Sequence, residues 1–344
     1  MKRIEIKENN LNMVYEITDE NEIKLLHFSN LPFDENDINS CEGTASFRPV
    51  EVLLSGLNRP GERHGTKYTY TAPGYRLKYK DMKDYRNETG RKLEILMEDK
   101  PTGLEVCSNI QFYDGISVIR SWTELKNNGE EDLGVEYVSS FALLGIDKEG
   151  LLSTDEKLEV LIARNAWQKE LIWNRFSMDQ LGMSISQPDK VRRSSQTISV
   201  GNTGNWSTKN YLPMGCLKNK ETDSILFWQI EQNGSWYWEI SDQDGHMYLQ
   251  LSGPTEHQSH WWKNLKPGDT FASVPVSVGS ACGDVEEAAG ELTKYRRAIR
   301  RKNEDNEKLP VIFNDYMNCL WGDPTTEKEL PLIDKAKEAG CDCF

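Results

Sequence analysis

Three tryptophans within one short stretch are the first residues with chemistry to offer. Ile225–Ile240 reads I-L-F-W-Q-I-E-Q-N-G-S-W-Y-W-E-I. On a strand, Trp236 and Trp238 share one face and Tyr237 points the other way. Rings in a row could stack on a sugar. Two packed sheets need the same rings as filling, and the size of the aromatic burial term makes core the reading. Asn233-Gly234 predicts a hairpin turn between the two arms. Seven cysteines, an odd and scattered set, do not make a closed disulfide framework. Cys341 and Cys343 would share a strand face, but neither their spacing nor any nearby His or Cys cluster suits zinc. They read as buried reduced thiols, and no metal or cofactor is expected. His64, one of five histidines, has no carboxylate in register and reads as structural rather than as a base.

The elements that must position these residues are strands for about the first 280 positions. Ile4–Ile6, Met13–Ile17, Lys24–Phe28, Val50–Leu54, Leu93–Met97, Leu104–Phe112, Ser117–Leu125 and Gly134–Leu143 alternate apolar and polar residues. Turn signals separate them, among them Pro60-Gly61, Pro73-Gly74, Asn127-Asn128-Gly129 and Pro267-Gly268. Many short strands at such spacing predict a large antiparallel sandwich. Asp284 followed by Glu287 matches a capping box, and an apolar stripe from Val285 through Ala288, Leu292 and Tyr295 to Ile299 predicts a helix over Val285–Lys302. The basic run Arg296–Lys302 reads as its solvated end, and Asn303–Lys308 as a linker. Pro310–Asn314 reads as a strand buried on both sides, Thr326–Ala339 as a helix stopped by Gly340, and Cys341–Phe344 as a second buried strand.

The expected architecture is therefore mainly β. A β-sandwich domain (1–283) leads through a linker helix (284–309) to the first β-α-β unit of a truncated (β/α)8 barrel (310–344). Such a unit leaves strand edges and a helix face uncovered. Residues 310–344 are expected to pack irregularly, to make an intermolecular contact or to be disordered. A net charge of -14, from 55 acidic and 41 basic residues, repels phosphate backbones and makes nucleic acid an unsuitable partner. The opening Met1–Lys7 has no apolar run of the secretory kind, and no stretch is apolar enough to span a membrane. A cytoplasmic protein is the expectation, and Asn87, Asn205 and Asn233, each heading an N-x-S/T triplet, read as chance matches.

Pro310–Phe344 resembles the first barrel strand, first helix and second strand of glycoside hydrolase family 36. His64–Tyr75, Val118–Leu125 running into Asn127, Asn165–Leu171, Trp228–Trp236 and Leu251–Thr255 resemble that family's amino-terminal sandwich. The resemblance implies an α-galactosidase acting on melibiose- and raffinose-type sugars; some relatives take α-N-acetylgalactosaminides or transfer galactose. It implies a retaining mechanism by two aspartates about 5–5.5 Å apart. In the family these lie on later barrel strands, so no catalytic residue is assigned here and this chain alone is expected to be inactive. The family's first strand ends in N-x-W; here Asn314-Asp315-Tyr316 stands in its place, with tyrosine offering a ring face and a hydroxyl. Tyr316 and Trp321 are candidates to touch sugar. Asp315, a lone acid, reads as an orienting group, and Asp323 before Pro324 as turn chemistry. In oligomeric relatives a sandwich loop completes a neighbour's pocket. Glu42–Pro49 matches that loop loosely, which makes Phe47 and Arg48 candidates and a homo-oligomer the expected assembly. Two other readings stay open: a stand-alone carbohydrate-binding or oligomerisation sandwich, and another α-glycosidase of sandwich-plus-barrel layout.

Overall fold

Alternation in the first thirty residues produces a three-stranded antiparallel sheet from β1 (Lys2–Glu8), β2 (Leu11–Ile17) and β3 (Ile23–Ser29). Asn9 and Asn10, with φ of 51° and 63°, close the first hairpin in the left-handed region that a two-residue turn demands. The computed structural model describes residues 1–38, 47–57, 67–183 and 196–344. The chain divides into two compact units, Met1–Tyr295 and Arg296–Phe344.

Sixteen further strands follow among the described residues of the first unit. In chain order they are β4 (Val52–Leu54), β5 (Lys78–Arg86), β6 (Arg91–Asp99), β7 (Leu104–Tyr113), β8 (Ile116–Asn127) and β9 (Leu133–Leu144). Then come β10 (Leu158–Ala166), β11 (Lys169–Ser177), β12 (Ile198–Asn202), β13 (Tyr211–Asn219) and β14 (Ser224–Ile230). The last are β15 (Trp236–Gln243), β16 (His246–Ser252), β17 (Lys263–Leu265), β18 (Thr270–Ala272) and β19 (Val276–Cys282). A ten-stranded sheet runs β11-β10-β13-β14-β19-β8-β7-β6-β5, with β18 beside β8. A six-stranded sheet runs β12-β15-β16-β9-β17, with β4 beside β9. The eight strand segments expected from alternation all fall on strands or their immediate ends. The Pro60-Gly61 turn and His64 lie outside the described residues. Pro73-Gly74 belongs to a short helix, Ala72–Arg76, capped by the Thr71 hydroxyl.

The expected Asn233-Gly234 hairpin does not form. Strand β14 pairs with β13 and β19, whereas β15 pairs with β12 and β16, so residues 231–235 carry the chain from one sheet to the other. Both arms are buried and each finds a neighbour on either side, which a simple hairpin would not supply. The crossing lets Trp228 meet Trp238 edge to face, with centroids 5.2 Å apart. With Trp236 they lie in the main core, as expected of filling between sheets. Gly215, opposite Trp228, makes the room: a Cβ there would lie 2.5 Å from the indole.

Residues of β15 on the other face, Tyr237 and Glu239, meet a covering segment, Lys67–Arg76. Carboxylates fasten it along its length. Lys67 Nζ donates to Asp242 at 2.9 Å, and the Tyr68 amide donates to Glu239 at 2.9 Å. The Tyr70 and Thr71 amides donate to Glu51 at 3.0 and 3.1 Å, and the Tyr70 hydroxyl donates to Asp244. Arg76 closes the row with a two-pronged contact to Asp99 at 2.8 and 2.7 Å. Tyr68 stacks on Tyr137 with centroids 3.9 Å apart.

The helix Val285–Ile299 begins where the capping residues place it: Glu287 accepts from the Asp284 amide at 2.8 Å. Ala288, Leu292 and Tyr295 are its buried residues. Asn303 caps a short helix, Glu304–Lys308, where a linker was expected. In the second unit the helix Thr326–Glu338 forms and Gly340 follows it with φ of 84°. Its strands are reduced to one parallel bridge, Ile312 to Cys343. Val311 and Ile312, expected to be buried on both sides, are 57% and 67% exposed. A single bridge offers no flanking strands to cover them, and a barrel sheet is not established. The thiols also differ from expectation: of the described cysteines only Cys216 is buried, and Cys282, Cys319 and Cys343 are exposed. No described helix is long and apolar enough to cross a membrane.

Burial pushes the Glu51 carboxyl up to about 7, and the hydrogen bonds from Thr71 and Tyr70 only partly oppose it. The folded chain thus holds a proton that the unfolded chain releases near 4.5. Stability from this group is present at low pH and is lost as pH rises from about 4.5 through 7, by roughly 3 kcal/mol. Glu51→Gln should flatten that slope in denaturant unfolding measured at pH 5 and pH 8; an unchanged slope would refute the assignment.

Candidate functional site

The loop after the Ile312 bridge is built from local hydrogen bonds. Asn314 Oδ1 accepts from the Tyr316 amide at 2.9 Å, an Asx turn that bends the chain at Asp315. Residues Tyr316–Leu320 then wind as a single wide helical turn, with the Leu320 amide bonded to Asp315 O at 2.9 Å and the Trp321 amide to Tyr316 O at 2.7 Å. Trp321 ends the turn in the left-handed region, φ 49°. The Tyr316 ring lies over Gly322, where a Cβ would approach it to 3.1 Å. The structure thus gathers Asn314, Asp315, Tyr316 and Trp321 into one loop. Tyr316 is 54% and Trp321 71% exposed, so both rings are available to a ligand.

Asp315 is not alone. Glu329, in the first turns of the helix Thr326–Glu338, faces it. A side-chain hydrogen bond to Asp315 is the main cause that raises the Glu329 carboxyl above its ordinary range; burial and repulsion by Asp315 act in the same direction. Oε2 of Glu329 is shut off from water with no conventional donor. The sequence gives no local sign of this pair, because 14 positions and a loop of unknown path separate its members. Asp323 behaves as turn chemistry, paired with Lys328. Two acids in hydrogen-bond contact can orient a loop. The described residues contain no group of three or more His, Cys, Asp or Glu suited to a metal.

Phe47 and Arg48 lie in the first unit, and the structure turns both inward. Phe47, 3% exposed and at φ 65°, packs with Val14, Leu26, Leu144 and Tyr248. Arg48, 6% exposed, pairs with Glu22 at 3.0 Å and donates to Tyr75 O at 3.1 Å. Burial resists ionisation of Glu22, but Lys78 and Arg48 outweigh it and hold the carboxyl below its ordinary range. Neither side chain is offered to a neighbour's pocket from this position, because both spend their surface fastening the Phe47–Val50 turn. Residues 42–46 of the same segment lie outside the described residues.

In fold, the chain is similar to about half the length of solved family 36 α-galactosidases. The solved α-galactosidase AgaA of Geobacillus stearothermophilus superposes on 99% of this chain and 49% of its own, with a TM-score of 0.74 and 16% identity. The α-galactosidase of Lactobacillus brevis superposes on 98% of this chain and 47% of its own, at a TM-score of 0.69 and 14% identity. In sequence, the chain is similar to α-galactosidase Mel36A of Lactobacillus acidophilus, 22% identical over 266 residues, which make 75% of this chain and 32% of that protein. The chain spans about a third of the curated relative's length and about half of the solved structures'. No family model matches the sequence.

Replacing Glu329 by glutamine should relieve the carboxylate pair. Hydrogen exchange of the Tyr316–Leu320 amides should slow at pH 7 relative to the parent chain. The difference should vanish below the ordinary glutamate value of 4.5, where both forms are uncharged. Equal protection at both pH values would dismiss the pair.

Proposed function

We propose that these 344 residues are the front part of an α-galactosidase that hydrolyses terminal α-galactosides of the melibiose and raffinose type. The observation that carries this reading is the superposition of 99% of the chain on AgaA. Variants of AgaA have been solved with raffinose and with stachyose, which supports an oligosaccharide substrate. The mechanism in this reading is retaining, with a nucleophilic aspartate and an acid–base aspartate both contributed by residues outside this chain. Tyr316 and Trp321 supply ring faces at the end of the first barrel strand, where barrel enzymes build their sites. Asn314 sets the turn that presents Tyr316, and the Asp315–Glu329 pair fixes the loop. The enzyme acts in the cytoplasm as a homo-oligomer. Exposed Trp167, Leu171 and Ile172, at the free edge formed by β11, support an assembly that covers them.

A reading as another α-glycosidase has no comparable support, since the relatives described above are α-galactosidases. The purified chain alone should not turn over an aryl α-galactoside; turnover abolished by Asp315→Asn would overturn this view. In a longer protein that contains the chain, hydrolysis of melibiose should proceed with retention. There Tyr316→Ala should raise KM about tenfold, or ~1.4 kcal/mol, with the smaller effect on kcat. An unchanged KM would remove Tyr316 from the site.

A further inference from the structure

A second group of polar side chains converges within the first unit, at the β12 end of the six-stranded sheet. There Ser199, Asn202, Lys209, Asn210, Tyr237 and Gln258 line an open pocket of about 250 Å³. We propose that this pocket binds a neutral sugar, of the size of one pyranose ring and its near substituents.

The walls are pre-set rather than adaptable. Tyr237 donates its hydroxyl to Glu239 at 2.8 Å, and the same buried carboxylate accepts from Tyr248 at 2.9 Å and from the Tyr68 amide at 2.9 Å. These bonds lock the Tyr237 ring in place. Gly201 lies directly opposite Tyr237 across the β12–β15 ladder. It does not occupy the left-handed region, so its missing side chain is a matter of space. A Cβ there would stand 3.3 Å from the Tyr237 ring and 2.9 Å from the Trp236 carbonyl oxygen. The floor of the pocket therefore stays open to the ring.

Gln258 is oriented in the same way. Its Oε1 accepts from Tyr68 at 2.8 Å and from Thr255, which turns the amide nitrogen outward with no acceptor among the described residues. Asn202 uses one N–H on Gly234 O at 3.5 Å and keeps its Oδ1 free of any described donor. The side chains of Lys209 and Asn210 make no hydrogen bond or ion pair among the described residues. Amides, hydroxyls, one exposed ammonium and one ring, with no carboxylate in the lining, match a ligand that carries alternating hydroxyl donors and acceptors on a compact apolar ring. Nothing in this inference rests on the hydrolase reading.

The test is calorimetric titration of the 344-residue chain with melibiose. Saturable binding is expected. It should weaken at least tenfold in the double variant Asn210→Ala/Gln258→Ala and persist in Tyr316→Ala, whose residue belongs to the other site. Should the double variant melt earlier than the parent chain, Asn210→Trp, at an exposed position, blocks the pocket without touching the Gln258 contacts. No saturable binding by the parent chain overturns the proposal. So does binding that survives Asn210→Trp, and so does binding lost only in Tyr316→Ala. Only the last of these leaves the Asn314–Trp321 site standing on its own.

Discussion

A carboxylate taken wholly out of water must be handed partners, and this fold spends that requirement on a single segment. Glu239, on β15 of the six-stranded sheet, and Glu51, just ahead of β4 in the same sheet, are buried acids, and burial raises both carboxyls above their ordinary range. Each takes backbone amides from the segment Lys67–Arg76. The segment in turn covers the face from which the acids project. Remove the acids and the cover loses its backbone anchors at Tyr68, Tyr70 and Thr71; remove the cover and the acids lose those amide donors. Tyr237 inherits its rigidity from the same arrangement, as does Gln258 through Tyr68. The polar pocket lined by Tyr237 and Gln258 thus depends on a buried carboxyl that never meets solvent.

The strands were legible because one face of each is apolar and period-two alternation is a local signal. The helix at Val285 was legible for the same reason, since its cap and stripe lie within one segment. What could not be read were pairings set by the third dimension. Glu239 and the Tyr68 amide are 171 positions apart, and nothing in either neighbourhood announces the other. The tryptophans of Ile225–Ile240 fill the core as their size requires, whereas the Asn233-Gly234 signal makes no hairpin. Asn-Gly marks a tight turn only when the flanking strands want each other, and here β14 and β15 want different sheets. Asp315 looked solitary because Glu329 approaches it only after the chain has gone round a loop.

The candidate sugar-facing residues illustrate the difference between a motif and a place. Asn314, Tyr316 and Trp321 stay together because local hydrogen bonds within eight residues bind them. Phe47 and Arg48 carry no such local constraint. Their direction is decided by what the sandwich offers, and it offers an apolar niche to one and a buried glutamate to the other. The exposed Val311 and Ile312 show the converse: a strand's apolar run states what it needs, not what it receives.

The order of strands in the larger sheet has a consequence for how the protein is made. Its last strand, β19, lies between β14 and β8, so it joins two halves whose other strands precede it in the chain. During synthesis those halves must wait, each with an open edge of hydrogen-bonding groups, until Val276–Cys282 leaves the ribosome. The final strand acts as a keystone, and the interval before its arrival is when a nascent chain is most exposed to pairing with its neighbours.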